Sequence, residues 1–290
     1  MNFRTDLAIE AREFLTEKEI PGITSQDSQI GNVQVSTIQV HSQEAAHRLH
    51  KPIGTYITIT VEAFSASITA ADDAVEAVCS SLRRLLRRRG LTLVVGLSNH
   101  NITPDALGPL VTEGILATRH IQGAAASAAG LDTLAPVAAI SPGVLGQTGM
   151  ETSEIIGALV DFVKPDQVIV IDALAAQNPQ RLGRTVQISD TGISPGSGVL
   201  NRRKELSRST LGVPVISMGV PTVVDSTTLA HSVLEQAGAS LPPPASQSAM
   251  MVTPRDIDTL ISRSAKVISL GINSALQPDI SREDLIYLTM

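Results

Sequence analysis

Four short apolar segments in the middle of the chain constrain the fold most strongly. Each is bounded by Gly or Pro, and they span residues 91–96, 136–140, 167–171 and 214–218. Stretches with helical periodicity alternate with them, at residues 109–120, 151–163 and 224–237. Uninterrupted apolar strands are buried on both faces, and parallel neighbours need a crossover between them. The alternation therefore predicts a mainly parallel, doubly wound α/β sheet flanked by helices.

A small antiparallel extension is predicted at one edge of this sheet. Residues 32–40 and 54–63 alternate apolar and polar side chains, which is the pattern of half-buried strands. Residues 21–31 are rich in Gly, Ser, Asp and Gln, and this composition favours turns. We therefore expect residues 1–31 to form a loosely attached N-terminal arm and residues 32–290 to form a single α/β domain.

The composition excludes several classes of function. The formal net charge is −6, and aromatic residues make up only 2% of the chain, whereas nucleic-acid binders present basic fields and stacking surfaces. Direct binding of nucleic acid is therefore not expected. A single cysteine, Cys79, excludes an intrachain disulfide and favours a reducing, cytoplasmic compartment. Since no apolar stretch approaches the ~20 residues of a membrane span, no membrane partner is expected.

Two aspartates follow the predicted parallel strands. Asp105 lies in the loop after residues 91–96, and Asp172 comes directly after residues 167–171. In open parallel sheets the binding crevice lies beyond the carboxyl ends of the strands. If these strands are near neighbours, the two carboxyl groups face each other, share a proton and form an acid–base pair that can activate water against an amide. The alternative is that each aspartate only caps a helix or a loop amide.

Two polar loops supply the candidate substrate-binding residues. The loop over residues 187–204 is rich in glycine, which lets backbone amides approach a ligand, and Arg202 and Lys204 give it a positive edge. The same composition also fits a structural turn. Together with the loop after the first parallel strand, it contributes Asn99, His100, Thr103, Asp190, Ser194, Arg202 and Lys204.

No cofactor is predicted. The chain has six histidines, but none forms part of a recognisable metal-binding motif, and no phosphate-binding loop, dinucleotide fingerprint or GxSxG motif is present.

Several longer blocks of the sequence resemble the spore germination proteases. They include VVGLSNHNITPDALGP, KPDQVIVIDALAAQ and TVQISDTGISPGSGVLNRRKELS, and they occur in order over nearly the whole chain. The resemblance implies an aspartic-type endopeptidase that cleaves small acid-soluble spore proteins during germination, in the forespore and spore core. It also implies a homotetramer, and its motifs assign the two catalytic aspartates to Asp105 and Asp172.

The same resemblance implies a self-processing zymogen. The sequence RTDLAIE presents an acidic residue, an apolar residue and alanine in the order expected of a substrate, so the matching bond is Asp6–Leu7 and the propeptide is residues 1–6. The alternative is an ordinary N-terminal helix capped by Thr5 and Asp6. The family's fold is similar to that of hydrogenase-maturation endopeptidases, which use a metal, so a metal-assisted peptidase remains open, as does a non-catalytic module that binds spore proteins.

Three departures from the family pattern are visible. Ser98 stands where the family usually has glycine, and Ser194 stands where it usually has histidine. The segment after residues 224–237 is shorter than usual and is reduced to a Pro-rich linker at residues 241–247.

Overall fold

The computed structural model of the chain describes residues 5–13, 15, 20–66, 71–87, 90–121, 124–128, 130–131, 133–196, 204–236, 238 and 250–289. The described residues form a single sheet, whose strands are β1 Ile23–Ile30, β2 Val33–Val40, β3 Gly54–Thr60, β4 Thr92–Gly96, β5 Val137–Ile140, β6 Gln167–Ala176, β7 Thr185–Ser189, β8 Val215–Asp225 and β9 Met251–Val252.

Eleven helices are present among the same residues. They are α1 Ala8–Glu13, α2 Gln43–Leu49, α3 Ala71–Leu85, α4 Leu107–Glu113, α5 Ala124–Ala128, α6 Leu145–Thr148, α7 Thr152–Val163, α8 Arg208–Leu211, α9 Ser226–Gln236, α10 Ile257–Leu276 and α11 Arg282–Thr289. Short 3-10 turns occur at Thr103–Asp105 and Pro179–Arg181. No helix of the described chain is both long and apolar enough to cross a membrane.

The predicted sheet class is confirmed. Its strand order is β1-β2-β3-β7-β8-β6-β4-β5, with β9 added to β8. Strands β8, β6, β4 and β5 are parallel neighbours, whereas β1, β2, β3 and β7 are antiparallel. From β4 the chain goes first to β5 on one side and then to β6 on the other. The topological switch point, where open α/β sheets bind their ligands, therefore lies between β4 and β6.

Alternating side chains of the buried strand β6 belong to two hydrophobic clusters, one on each face of the sheet. Ile169 and Ile171 of β6 belong to the cluster that packs against α3, α4 and α10, whereas Val168 and Val170 belong to the cluster against α7. Helices therefore cover both faces of the parallel strands. This is the arrangement that the continuous apolar runs predicted.

The expectation of turns at residues 21–31 is wrong, because β1 occupies most of that segment. The strand is polar and exposed along nearly its whole length, so it lacks the alternation by which strands are recognised. It forms because a two-residue connection at Gly31–Asn32 turns the chain back and pairs Ile30 with Val33. Glycine suits this turn since its φ is +53°. The division into arm and domain at residue 31 remains a prediction.

Strand β7 is a second difference from the sequence analysis. It includes the first residues of the loop predicted at 187–204, and it joins the antiparallel strands to β8. The antiparallel part of the sheet is therefore larger than a single hairpin.

A contact between backbones brings the start of α4 against the end of β4 and the middle of β6. A Cβ atom on Gly108 would lie 2.3 Å from the Leu97 carbonyl oxygen and 2.8 Å from the Ile171 carbonyl oxygen. Only glycine allows this approach. The turn that carries Asp105 immediately precedes α4, so the same contact determines how close that turn lies to β6.

We expect Gly108→Ala to destabilise the protein by about 1–3 kcal/mol or more, because the added methyl group must push α4 away from the sheet. Urea unfolding measures the change. Gly157→Ala is the matched control: Gly157 is within α7, and a Cβ atom added to it would have no neighbour within 4 Å, so alanine should be neutral or stabilising there. Equal free energies of unfolding for the two variants would contradict the proposed close contact.

Candidate active site

Asp172 occupies the switch point between β4 and β6. The prediction that it ends its strand is wrong, because β6 continues to Ala176 and pairs Asp172 with Gly219 of β8. On the other side, however, β4 ends at Gly96 opposite Ile171. Asp172 is therefore the first residue of β6 beyond the end of β4, and its side chain faces the loop that follows that strand.

Burial dominates the electrostatics of Asp172. Its side chain is only 5% exposed, and removal from water is the largest cause of a pKa of Asp172 that is raised to about 7. The neighbouring charges of Asp105 and Asp6 also contribute to the rise, whereas hydrogen bonds from the Ser98 hydroxyl and the Ala173 N–H oppose it. Asp172 is thus poised to hold a proton at a pH where exposed aspartates are ionised.

Asp105 lies at the end of the 3-10 turn that precedes α4. Its N–H donates to the Ile102 carbonyl at 2.8 Å, and its Oδ2 accepts from the Asn99 N–H at 2.8 Å. The turn contacts β6, and the charge of Asp105 acts on Asp172. The structure therefore places the two predicted aspartates close enough for their charges to interact, and Asp105 is the more exposed of the two.

Ser98 connects the loop after β4 to Asp172 on β6. Its hydroxyl donates to Asp172 Oδ1, and its φ of +89° lies in a region that favours glycine. Ser98 thus has an unfavourable backbone conformation, and its side chain forms a hydrogen bond to the buried carboxyl group of Asp172. The sequence revealed Ser98 as a departure from the family pattern, but nothing in the sequence revealed this contact.

In the part of the arm that the structure describes, Asp6 and Leu7 are bound along β6 rather than loosely attached. The Asp6 N–H donates to the Ala175 carbonyl at 3.1 Å, and the Ala175 N–H donates to Asp6 Oδ2 at 2.9 Å. Leu7 has no exposed surface and packs against Leu174 and Ala176. The two residues at the expected processing site therefore lie along β6, just beyond Asp172.

A buried glutamate fixes the other end of this segment. Glu10 is 2% exposed, and its two carboxylate oxygens accept from the N–H groups of Gln177 and Asn178, each at 2.9 Å. Arg181 lies beside it, with its Nε 3.6 Å from Glu10 Oε1. Sequence reasoning did not single out Glu10, because an acidic residue in the first turn of a helix is usually exposed.

The loop after β4 positions some of the predicted binding residues. Besides contributing its N–H to Asp105, Asn99 accepts from Gln147 Nε2 at 2.9 Å through its side-chain oxygen. Thr103 begins the 3-10 turn and is half-buried. His100 is exposed and turned towards Glu113 of α4, with 3.7 Å between Nδ1 and Oε1.

The second predicted loop is only partly near the crevice. Asp190 accepts from the Thr55 N–H at 2.7 Å and so holds the end of β7 against the start of β3. Ser194 is half-buried, and its neighbour Ile193 packs near Leu7. Lys204 is exposed, and Arg202 lies outside the described residues.

Within the described parts of the chain, no three His, Cys, Asp or Glu side chains are grouped closely enough to hold a metal ion.

Comparison with known proteins identifies the family. The germination protease family model matches residues 4–237. The germination protease of Caldanaerobacter subterraneus subsp. tengcongensis is 40% identical over 99% of this chain and 98% of its own length, and that of Clostridium tetani is 40% identical over 98% of each. The germination protease of Halalkalibacterium halodurans is 33% identical over 98% of this chain and 96% of its own. The chain therefore belongs to the germination protease family and is a hydrolase.

A solved structure aligns more loosely. The NiFe hydrogenase maturation protease HycI from Thermococcus kodakarensis KOD1 covers 66% of this chain and 98% of its own, with a TM-score of 0.37 and 17% identity.

We expect the free energy of unfolding to fall with rising pH because of Asp172. The folded-state pKa of about 7 lies above the ordinary value of 3.8, so between these values the native state binds more protons than the unfolded state. Asp172→Asn removes this charge. The variant should be more stable than wild type at pH 8, and its advantage should shrink as the pH falls towards 4. Urea unfolding at several pH values measures this, with the exposed Asp161→Asn as control. A constant difference across the range would contradict the raised pKa.

Two variants separate the roles of Ser98. Ser98→Ala and Ser98→Gly both remove the hydroxyl that stabilises ionised Asp172, so both should raise its pKa further and extend the pH-dependent loss of stability to higher pH. Only glycine relieves the positive φ, so Ser98→Gly should be more stable than Ser98→Ala by about 1 kcal/mol. The same unfolding series measures both effects. Identical stabilities for the two variants would show that the backbone is unstrained.

Proposed function

We propose that this protein is an endopeptidase that begins the degradation of small acid-soluble spore proteins during germination and cleaves after an acidic residue. Asp105 and Asp172 serve as its acid–base pair. The observation that carries the proposal is the buried carboxyl of Asp172 at the switch point, whose pKa is raised to about 7, with Asp105 beside it. Family membership supports the protease class and the connection with germination.

The two environments suggest different roles. Asp172 holds its proton through mild acid and acts as the general acid, whereas the more open Asp105 acts as the general base. Asp105 takes a proton from water as the water oxygen bonds to the carbonyl carbon. Asp172 gives its proton to the amide nitrogen as the C–N bond breaks, and a carboxyl group and an amine result. Transfer of the proton from Asp105 back to Asp172 completes the cycle.

The protein also processes itself, in our proposal, at Asp6–Leu7. The position of these residues along β6, within reach of the charge of Asp172, supports a segment that is presented to the site in the manner of a substrate. Cleavage releases residues 1–6 as the propeptide. Because it requires protonated Asp172, it is favoured by mild acid.

Substrate selection involves the two polar loops predicted from the sequence. Asn99, His100 and Thr103 of the loop after β4 bind substrate, as do Asp190, Ser194, Arg202 and Lys204 of the loop predicted at 187–204. The positive charges of Arg202 and Lys204 favour acidic residues before the cleaved bond. Assembly as a homotetramer and action in the forespore and spore core remain predictions from the resemblance.

We expect Asp105→Asn and Asp172→Asn each to reduce cleavage by several orders of magnitude, because an amide keeps the shape of the side chain but cannot exchange the proton. The measurement is the rate at which a purified small acid-soluble spore protein is converted to fragments, together with the intact mass of the enzyme. Wild type should yield a product that begins at Leu7, whereas neither variant should. Asp161→Asn on the exposed face of α7 controls for loss of a carboxylate.

Three outcomes would reject parts of the proposal. Near-wild-type turnover in either variant, with the fold intact, would reject the aspartate pair. Loss of wild-type activity on chelation and its recovery with one divalent ion would favour the metal-assisted alternative. If wild type binds the spore protein but leaves it uncut at every pH, the protein is a binding module.

A further inference from the structure

Two side chains that the aspartate pair does not use meet at a single carbonyl oxygen. Lys51 Nζ donates to the Asp6 carbonyl oxygen at 2.9 Å, and Gln187 Nε2 donates to the same oxygen at 2.8 Å. The carbonyl of Asp6 belongs to the bond that joins Asp6 to Leu7. Two donors from distant parts of the chain thus meet at the group that gains negative charge when such a bond is attacked.

Gln187 holds both sides of this bond. Its Oε1 accepts from the Ala8 N–H at 2.6 Å, while its Nε2 serves the Asp6 carbonyl. The side-chain amide therefore pairs with the main chain before and after the bond, as a neighbouring strand would. Strand β7 fixes the residue, because Gln187 pairs there with Thr58 on one side and with Gly219 on the other.

Lys51 is held in place by the end of α2. His50 caps the helix with a φ of +53°, and the Lys51 N–H donates to the Ala46 carbonyl at 3.2 Å. The ammonium group also reaches the Thr5 carbonyl at 3.1 Å. Burial lowers the pKa of Lys51, while the charges of Asp6 and Glu10 raise it. Protonated or neutral, the amine retains N–H donors.

We propose that Lys51 and Gln187 form the carbonyl-binding site of the protease, and that they bind the carbonyl of the acidic residue at the cleaved bond in both the chain's own start and its protein substrate. This assignment rests on the function proposed above. Donors already fixed around that oxygen stabilise the oxyanion that forms when water adds to the carbonyl carbon. The Ala175 N–H, which binds Asp6 Oδ2, contributes to recognition of the acidic side chain.

Gln187→Glu separates carbonyl binding from the other contact of this residue. The glutamate retains an oxygen for the Ala8 N–H but loses the donor to the Asp6 carbonyl. Lys51→Met retains an unbranched side chain of similar length and also loses its donor. Each should lower kcat on an acidic-site peptide by about a hundredfold or more, with a smaller change in KM. Exposed Gln39→Glu and Lys266→Met are the matched controls.

A second readout does not depend on cleavage. In an Asp172→Asn background, which preserves the intact start of the chain, hydrogen exchange reports how firmly residues 5–10 are bound. Lys51→Met and Gln187→Glu should each speed exchange of the Asp6 amide, which donates to Ala175, at least tenfold. Unchanged exchange or unchanged kcat in both variants would overturn the carbonyl-binding site. Failure of wild type to cleave anything would instead overturn the proposed function, while the exchange experiment would still test the contacts.

Discussion

The close contact between two backbones at Gly108 is the constraint on which the site depends. Parallel strands end at a common edge, but they do not by themselves bring a loop residue against a buried strand residue. The absence of a side chain at Gly108 lets α4 begin directly against the Leu97 and Ile171 carbonyls. Because the Asp105 turn precedes that helix, the turn lies at the switch point. The close approach at this one residue therefore helps to determine whether the two carboxyl groups interact.

The environment of Asp172 also depends on the N-terminal segment 5–10. Segment 5–10 covers part of the carboxyl end of β6 with the apolar side chain of Leu7, and the charge of Asp6 adds to the effects that keep Asp172 protonated. Cleavage at Asp6–Leu7, as proposed, would create a second carboxylate on Asp6, whose charge already acts on Asp172. Repulsion between like charges would then favour departure of the released segment.

Strands with a clear hydrophobic pattern could be predicted from the sequence. Strands and strand boundaries that depend on tertiary contacts could not. The continuous apolar runs at β4 and β6 identified the parallel strands, and the position of Asp172 and Asp105 after those runs placed both near one edge. Polar β1 could not be recognised, since it is a strand only because β2 offers an edge to pair with. Strand β6 extends past its apolar run because β8 pairs with it as far as Ala176. Where pairing with an adjacent strand determines the end of a strand, the local sequence carries no signal for that end.

Lys51 and Gln187 show the same limit for the site itself. They lie 136 positions apart in the sequence, on the end of α2 and on β7, and neither belongs to a catalytic motif. Both residues are positioned by the antiparallel part of the sheet. Gln187 is on β7, which pairs with β3 and β8, and Lys51 lies in the short connection between α2 and β3. In the proposed mechanism, β6 and the turn after β4 supply the groups that exchange protons, whereas β7 and the end of α2 supply the groups that bind the carbonyl. An edge extension that looks peripheral in the sequence would then complete the site, because a peptide bond must be bound on its oxygen side as well as attacked at its carbon.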